Sequence, residues 1–334
     1  MISDVAGLLL YLWVALGFTV IALSLLIGVV QPRILPALSR FSVPARSRVL
    51  WFLVISPFIA GAYVALLTLV PSLSHEMGFS IDHCVIHSES RGHLCWYHPP
   101  TFAWISWQGF SALAFALFAG WKMLVTLAQG IQHYHHSQNL LAFADKQADG
   151  TYRIESEIPN AFTLGLFTPK VVVSNALANA LNPSELAIVE RHEVAHQRNR
   201  DPLRLWLFSL LLSIFTSSVR RNFYKVMELT VEQAADAAVA QQDIDPKLIA
   251  QTLVKVNRLT TRFFNANRSS VKDQAICYFG TTDIEQRVQQ LLNNNAGHAF
   301  PMPIFLTGIF GMVLLSLVGV NVFHHLIESL LYAA

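Results

Sequence analysis

Glu190-Arg191-His192-Glu193-Val194-Ala195-His196-Gln197-Arg198 is the stretch on which the reading of this chain turns. On a helix, residues four apart share a face, so His192 and His196 can both offer a ring nitrogen to one metal ion. Glu193, between them, is placed to take a proton from a metal-bound water instead of ligating. Just upstream, Asn182-Pro183-Ser184-Glu185 reads as a helix start. Asn182 is the cap, Pro183 the first helical residue, and Glu185 follows three after the cap. The helix then runs to Asp201-Pro202.

A zinc site open for catalysis needs a third protein ligand and keeps the fourth position for water. Glu228-Leu-Thr-Val-Glu232-Gln-Ala-Ala-Asp236 offers two candidates one turn apart, Glu228 and Glu232, and spacing does not choose between them. Glu232-x-x-Ala-Asp236 resembles the second-helix motif of gluzincin-type membrane peptidases. That resemblance implies Glu232 as the ligand and Asp236 as the residue that orients a ligand histidine.

The surrounding composition is that of a membrane protein. Hydrophobic residues make up 53% of the chain and charged residues only 13%, against about 25% charged in soluble domains. Val5 to Val30 carries no charge and would reach about 39 Å as a helix. Val49–Val70 is a second span, Phe102–Leu127 a third, and Phe300–Phe323 a fourth. The expected architecture is an α-helical multi-pass membrane protein with four spans and a cytoplasmic α+β gluzincin-type zinc peptidase domain. Residues 1–127 form the membrane domain (spans 5–30, 49–70 and 102–127, outer loop 71–101). Residues 128–299 form the peptidase domain, and 300–334 the fourth span with a short outer tail. The first segment is too long, and lacks the basic start, for a cleaved signal peptide. A net charge of +2 gives no footprint for nucleic acid, so the expected partners are a protein substrate and the lipid bilayer. Nothing in the sequence excludes a homodimer.

Arginines set the expected orientation. Arg33, Arg40, Arg46 and Arg48 lie between the first two spans without an acidic residue, whereas the 71–101 loop holds Arg91 against Glu76, Asp82 and Glu89. Both termini are then outside and the HEVAH helix faces the cytoplasm. Leu203–Val219 is apolar enough for a further span, but one crossing there would separate His196 from Glu232. It reads instead as a helix dipping into or lying along the inner leaflet near 203–219, with Asp201 as its N-cap and Pro202 as its first residue.

Elsewhere in the polar region, His133-Tyr-His135-His136 reads as a juxtamembrane linker. Asn139–Asp145 and Thr151–Glu157 read as strands about an Asp149-Gly150 turn. Phe162–Ser174 gives two strands broken by Gly165 and Pro169. A strand beside a zinc helix can pair with an extended peptide; it is equally a plain hairpin. Asp245-Pro246 opens a helix to about Leu259, and Thr282-Asp-Ile-Glu285 is a capping box for a short helix through Leu292. The oxyanion donor has three candidates: Tyr224, Tyr278 and Arg287.

Phe162-Thr163-x-Gly165-x-x-x-Pro169, Glu185, HEVAH, Asp201, Glu232-x-x-Ala-Asp236 and Phe279…Arg287-Val-x-x-Leu291-Leu292, in that order, resemble the metallopeptidase part of the BlaR/MecR-type β-lactam sensor-transducers. The resemblance covers roughly 130–295 and the four-span layout. It implies a bacterial cytoplasmic-membrane protein with Zn²⁺ held by His192, His196 and Glu232, acting on a cytoplasmic transcriptional repressor. The penicillin-binding domain that follows the last span in that family has no counterpart here, so the resemblance extends to the peptidase part alone. The rival readings are a membrane-protein quality-control protease and a non-catalytic receptor or scaffold with a structural zinc site. The outer loop is a second candidate site. Cys84-x-x-His87 and Cys95-x-x-His98 repeat one pattern, and the four residues suit either a metal or, through the cysteines, a disulfide.

Overall fold

The computed structural model describes residues 4–70, 77, 105–266, 284–293, 297–299 and 301–319. Three of its helices are long and apolar enough to cross a membrane: α1 (Asp4–Leu38), α2 (Val43–Leu67) and α3 (Trp107–Ala142). Their ends differ from the expected spans. α1 continues through Pro32 and Pro36, so Arg33 is helical, and Arg46 and Arg48 already belong to α2. The connection between the two is only residues 39–42. Proline is tolerated inside such helices where neighbouring elements satisfy the freed backbone groups. α3 begins at an N-cap, Ser106, whose hydroxyl accepts from Gly109 N at 3.2 Å. It does not stop near Leu127 but runs on to Ala142, so His133, His135 and His136 are helical and not a linker. The strand expected over 139–145 is reduced to β1 (Ala144–Lys146).

The remaining strands are β2 (Tyr152–Ile154), β3 (Ala161–Leu164) and β4 (Lys170–Ser174). The sheet order is β1-β2-β4-β3, with β2 and β4 parallel and the other pairs antiparallel. Gly165, at φ 106°, takes a backbone conformation that side chains other than glycine resist, which lets β3 turn back into β4. Among the described residues β3 is an edge strand. Ala161, Val171 and Val173 pack with Leu177, Val189 and Val256 to bury one face against three helices.

Those helices follow in chain order. α4 (Asn175–Ala180) leads into α5 (Pro183–Asn199), which carries HEVAH. The cap of α5 is as expected: Glu185 N donates to Asn182 Oδ1 at 2.8 Å and Asn182 N donates to Glu185 Oε2 at 2.9 Å. α5 ends on Arg200, which adopts the left-handed conformation at φ 52°. Arg200, not Asp201, thus precedes α6 (Asp201–Leu211), in which Asp201 is already helical. A 3₁₀ turn over Leu212–Ile214 then feeds α7 (Ser217–Ala240), the helix of Glu232 and Asp236.

The apolar segment after Pro202 is accordingly a short helix and a turn, not a crossing. Phe208, Leu212, Phe223 and Met227, all fully buried, pack with Ile27, Leu35, Leu50 and Val54 of α1 and α2. Truncating one such side chain to alanine costs about 2–5 kcal/mol, so α6 and α7 are fused to the membrane helices α1 and α2. Arg46, expected as a loop charge, is buried there, and its Nη1 donates to Gln233 Oε1 of α7 at 2.6 Å.

α8 (Pro246–Ala266) and α9 (Ile284–Asn293) complete the polar domain. Residues 297–299 return to the α1–α2 connection, where Ser42 N donates to His298 O and His298 N to Arg40 O, both at 3.0 Å. A Cβ at Gly297 would lie 2.6 Å from Ser42 N, so only glycine permits this approach. α10 (Met302–Val318) starts from there. Its described part, 17 residues, is apolar, and the rest of the fourth span expected to Phe323 lies outside the described residues. Cys84, His87, Cys95 and His98 of the outer loop, together with Cys277 and Tyr278, also lie outside them.

Candidate metal centre

Three elements build the centre. α5 brings His192 and His196 onto one face, where their Nε2 atoms stand 3.1 Å apart. α7 packs across α5 and delivers Glu232 between them. Its Oε2 lies 3.4 Å from His192 Nε2 and its Oε1 3.5 Å from His196 Nε2. The third contribution is β3, which runs beside α5 and reaches Glu193.

The donor set fits zinc. Ligand bonds of about 2.0–2.1 Å in a tetrahedron place neighbouring ligand atoms about 3.3 Å apart. The histidine nitrogens stand 3.1 Å apart, close to one such edge, and Glu232 approaches them through its two oxygens, Oε2 at 3.4 Å from His192 and Oε1 at 3.5 Å from His196. The outward nitrogens of both rings are also committed. Asp236 Oδ1 is 3.0 Å from His192 Nδ1, and Asp201 Oδ2 is 2.9 Å from His196 Nδ1. A carboxylate on Nδ1 fixes the ring and directs the Nε2 lone pair to the common point. Among the described residues this is the one group of three that could hold a metal. Glu228, one turn earlier on α7, is not part of it.

Asp201 therefore acts on His196 and is not a simple helix cap. Its other oxygen accepts from Arg204 Nη1 at 2.8 Å. Arg287, a candidate oxyanion donor in the sequence, has a different place. Its side chain is fully buried. Nε and Nη2 donate to the two oxygens of Asp236 at 2.8 Å each, and Nη1 lies 2.8 Å from Glu232 Oε2. One guanidinium on α9 thus holds Glu232 and Asp236 of α7 together. Tyr224 packs against the apolar cluster two turns before Glu232, about 12 Å along the helix.

The electrostatics follow from this clamp. Burial would raise the Glu232 carboxyl, but Arg287 and the two histidines hold it down to about 2. Burial opposes ionisation of Asp236 as well; Arg287 and His192 overcome it and keep that carboxyl far below its usual range. Burial depresses the His192 imidazole, yet its bonds to Asp236 and Glu232 more than offset this and bring it to about 9 without a metal. Glu193 goes the other way. It is 1% exposed, and burial raises its carboxyl against the pull of both histidines and Thr163. A raised carboxyl that can still ionise is the property a general base near neutral pH requires.

Glu193 has two different oxygens. Oε2 lies 2.7 Å from Thr163 Oγ1 of β3, whereas Oε1 is buried with no hydrogen-bond partner among the described residues. Gln197 Nε2 donates to Pro169 O at 2.8 Å and Arg153 Nη2 to Glu190 Oε1 at 2.7 Å, so the hairpin and β2 are pinned along the same helix. Thr163 stands in the sequence as a residue of the hairpin and of the motif that opens the family resemblance, but with no role; its contact with Glu193 spans thirty positions and has no local signature.

A membrane-anchored α+β domain with two histidines on one helix, a glutamate from the next and a buried carboxylate between defines a metal-dependent peptidase. The family comparison agrees: residues 133–312 match the model of peptidase family M48, and the chain belongs to that family, whose members are zinc metallopeptidases. It is 30% identical over 142 residues to "Protease HtpX homolog 2" of Methanosarcina mazei, covering 36% of this chain and 48% of the relative. It is 34% identical over 89 residues to "Protease HtpX homolog" of Moorella thermoacetica, covering 26% and 30%. The chain thus spans about half or less of the length of the curated relatives it matches. No solved structure matches it.

Proposed function

We propose that this protein is a membrane-bound zinc endopeptidase that cuts extended polypeptide beside the cytoplasmic face of the membrane. The observation that carries the reading is the position of β3: an edge strand whose Thr163 touches Glu193. Peptide added to that edge would be held by backbone hydrogen bonds, with its chain passing the histidine pair. His192, His196 and Glu232 would hold the ion, whose chemistry there would be that of a Lewis acid toward the scissile carbonyl and a water. Glu193 Oε1 takes the water's proton and later returns it to the leaving amine. Asp236, Asp201 and Arg287 keep the ligands in place. The cytoplasmic side rests on the arginines flanking the α1–α2 connection, to which residues 297–299 are tied.

The substrate in this reading is a cytoplasmic transcriptional repressor, so that cleavage transmits a signal. The ordered motifs shared with the BlaR/MecR-type transducers support it. The HtpX-named relatives favour a second reading, in which the substrates are damaged membrane proteins. One experiment separates them. Glu193→Gln in the full-length membrane protein binds substrate without cutting it, and crosslinked material is then compared with what disappears in wild-type cells. A captured DNA-binding repressor supports signalling; captured membrane proteins support quality control. Cleavage undiminished in Glu193→Gln would remove the peptidase assignment at this site.

A further inference from the structure

α8 and α9 lie side by side and leave a groove of about 770 Å³ between them. Leu259, Val288 and Leu292 give it an apolar lining, and Leu292 is 51% exposed. Lys247, Arg258 and Arg262 line the same groove, and among the described residues no carboxylate does. Arg258 and Arg262 are exposed and pair with no carboxylate among the described residues. Lys255 is set apart from them by its 2.6 Å bond to Glu185.

The spacing of the cations is regular. Arg258 and Arg262 are one turn apart, and Lys247, eleven residues before Arg258, falls on the same side of α8. The row from Lys247 to Arg262 is about 22 Å long, the length of a helix of about 15 residues. An amphipathic helix laid in the groove would put its apolar face on Leu259, Val288 and Leu292. Carboxylates one turn apart along its edge would meet the arginines.

We propose that this groove is a docking site for an acidic amphipathic helix of a partner protein, separate from the metal centre. The apolar lining between two helices favours a helix over lipid headgroups, which need no such floor. The groove borders the amino-terminal end of α5, through the Lys255–Glu185 pair, while the histidines occupy its carboxyl-terminal half. Its floor is nevertheless coupled to that centre, because Val288 follows Arg287 on α9 and Arg287 grips Glu232 and Asp236. A docked partner would therefore rest against the helix that supports the ligands.

The test uses the full-length protein in nanodiscs of zwitterionic lipid and needs no peptidase activity. The probe is a fluorescent synthetic helix of about 18 residues with leucines on one face and glutamates one turn apart beside them. A second probe replaces every glutamate by lysine. The acidic probe is expected to bind at least about tenfold more tightly than the basic one, and Arg258→Gln with Arg262→Gln to remove most of that difference. Added salt should weaken the acidic probe. Circular dichroism and thermal unfolding confirm that the double variant is folded, and Arg258→Lys with Arg262→Lys should retain binding. Equal affinity for both probes, or undiminished binding to the folded glutamine variant, overturns the proposal. It is also overturned if the arginines affect only binding to vesicles of anionic phospholipid.

Discussion

Thr163 Oγ1 lies 2.7 Å from Glu193 Oε2 and 2.9 Å from the main-chain oxygen of the same glutamate. A hydroxyl has one proton to give. Both contacts are hydrogen bonds at once only when Glu193 is protonated and donates to Oγ1, leaving the hydroxyl to the main-chain oxygen. When Glu193 is ionised the hydroxyl proton turns to Oε2. The threonine can thus serve both states of the glutamate by rotating one O–H bond.

A general base that takes and returns a proton benefits from this support. Thr163→Val should lower kcat by about ten- to a hundredfold, from a lost hydrogen bond of about 1.5–3 kcal/mol to a charged group. Thr163→Ser should restore it, and zinc content should be unchanged in both. Steady-state kinetics with zinc analysis checks this. A serine variant as impaired as valine would make the side chain's packing, not its hydroxyl, the important feature.

Arg287 supplies the second prediction. It is 0% exposed and pairs with two carboxylates. Removing one partner of a buried pair strands the other charge and costs about 3–5 kcal/mol. Arg287→Ala should therefore lower unfolding stability by about that amount and weaken zinc binding, because Glu232 and Asp236 lose their common anchor. Arg287→Lys should recover only part, since an ammonium cannot reproduce the bidentate fork. Chemical unfolding in detergent and a chelator competition read both effects.

These two residues mark where the sequence stops being legible. The HEVAH face, the Asn182 cap and the Gly165 turn depend on residues within a few positions of one another, and local periodicity and turn chemistry expose them. Thr163 meets Glu193 across thirty positions, Arg287 meets Asp236 across fifty-one, and Arg46 meets Gln233 across 187. Such pairs are set by packing and carry no spacing rule. Asp201 failed differently. A carboxylate before proline is a good cap, and that local explanation concealed its bond to His196. The length of α3 was missed because its polar continuation, through His133 to Ser137, contains no residue that ends a helix. The short chain between α1 and α2 shows the same error, since Arg33, Arg46 and Arg48, read as loop residues, are helical.

Metal content distinguishes the two glutamates of α7. Glu232 approaches both histidine nitrogens, whereas Glu228 does not enter the group. Glu232→Ala should lose nearly all bound zinc and Glu228→Ala should keep it. Asp201→Ala and Asp236→Ala should fall between, with affinity reduced by about ten- to a hundredfold, because they orient the histidines without ligating. Zinc retained by Glu232→Ala and lost from Glu228→Ala would reassign the ligand.

The last prediction concerns pH. In the metal-free protein burial depresses His192, but Asp236 at 3.0 Å and Glu232 at 3.4 Å raise it to about 9 overall. An unfolded histidine titrates near about 6.5. A folded value above the unfolded one means that the imidazolium stabilises the metal-free fold fully below pH about 6.5, and that this stability is lost as pH rises through about 9. A zinc ion needs the Nε2 lone pair and must displace that proton. Zinc affinity should accordingly rise by about tenfold per pH unit between about 6.5 and 9, then flatten. Asp236→Asn removes the main counter-charge, so its overall affinity should be lower while its rise with pH should end earlier. Chelator competition across this range measures both proteins. An affinity independent of pH in the wild type would show that His192 is already neutral before the metal arrives and that the carboxylates do not hold a proton on it.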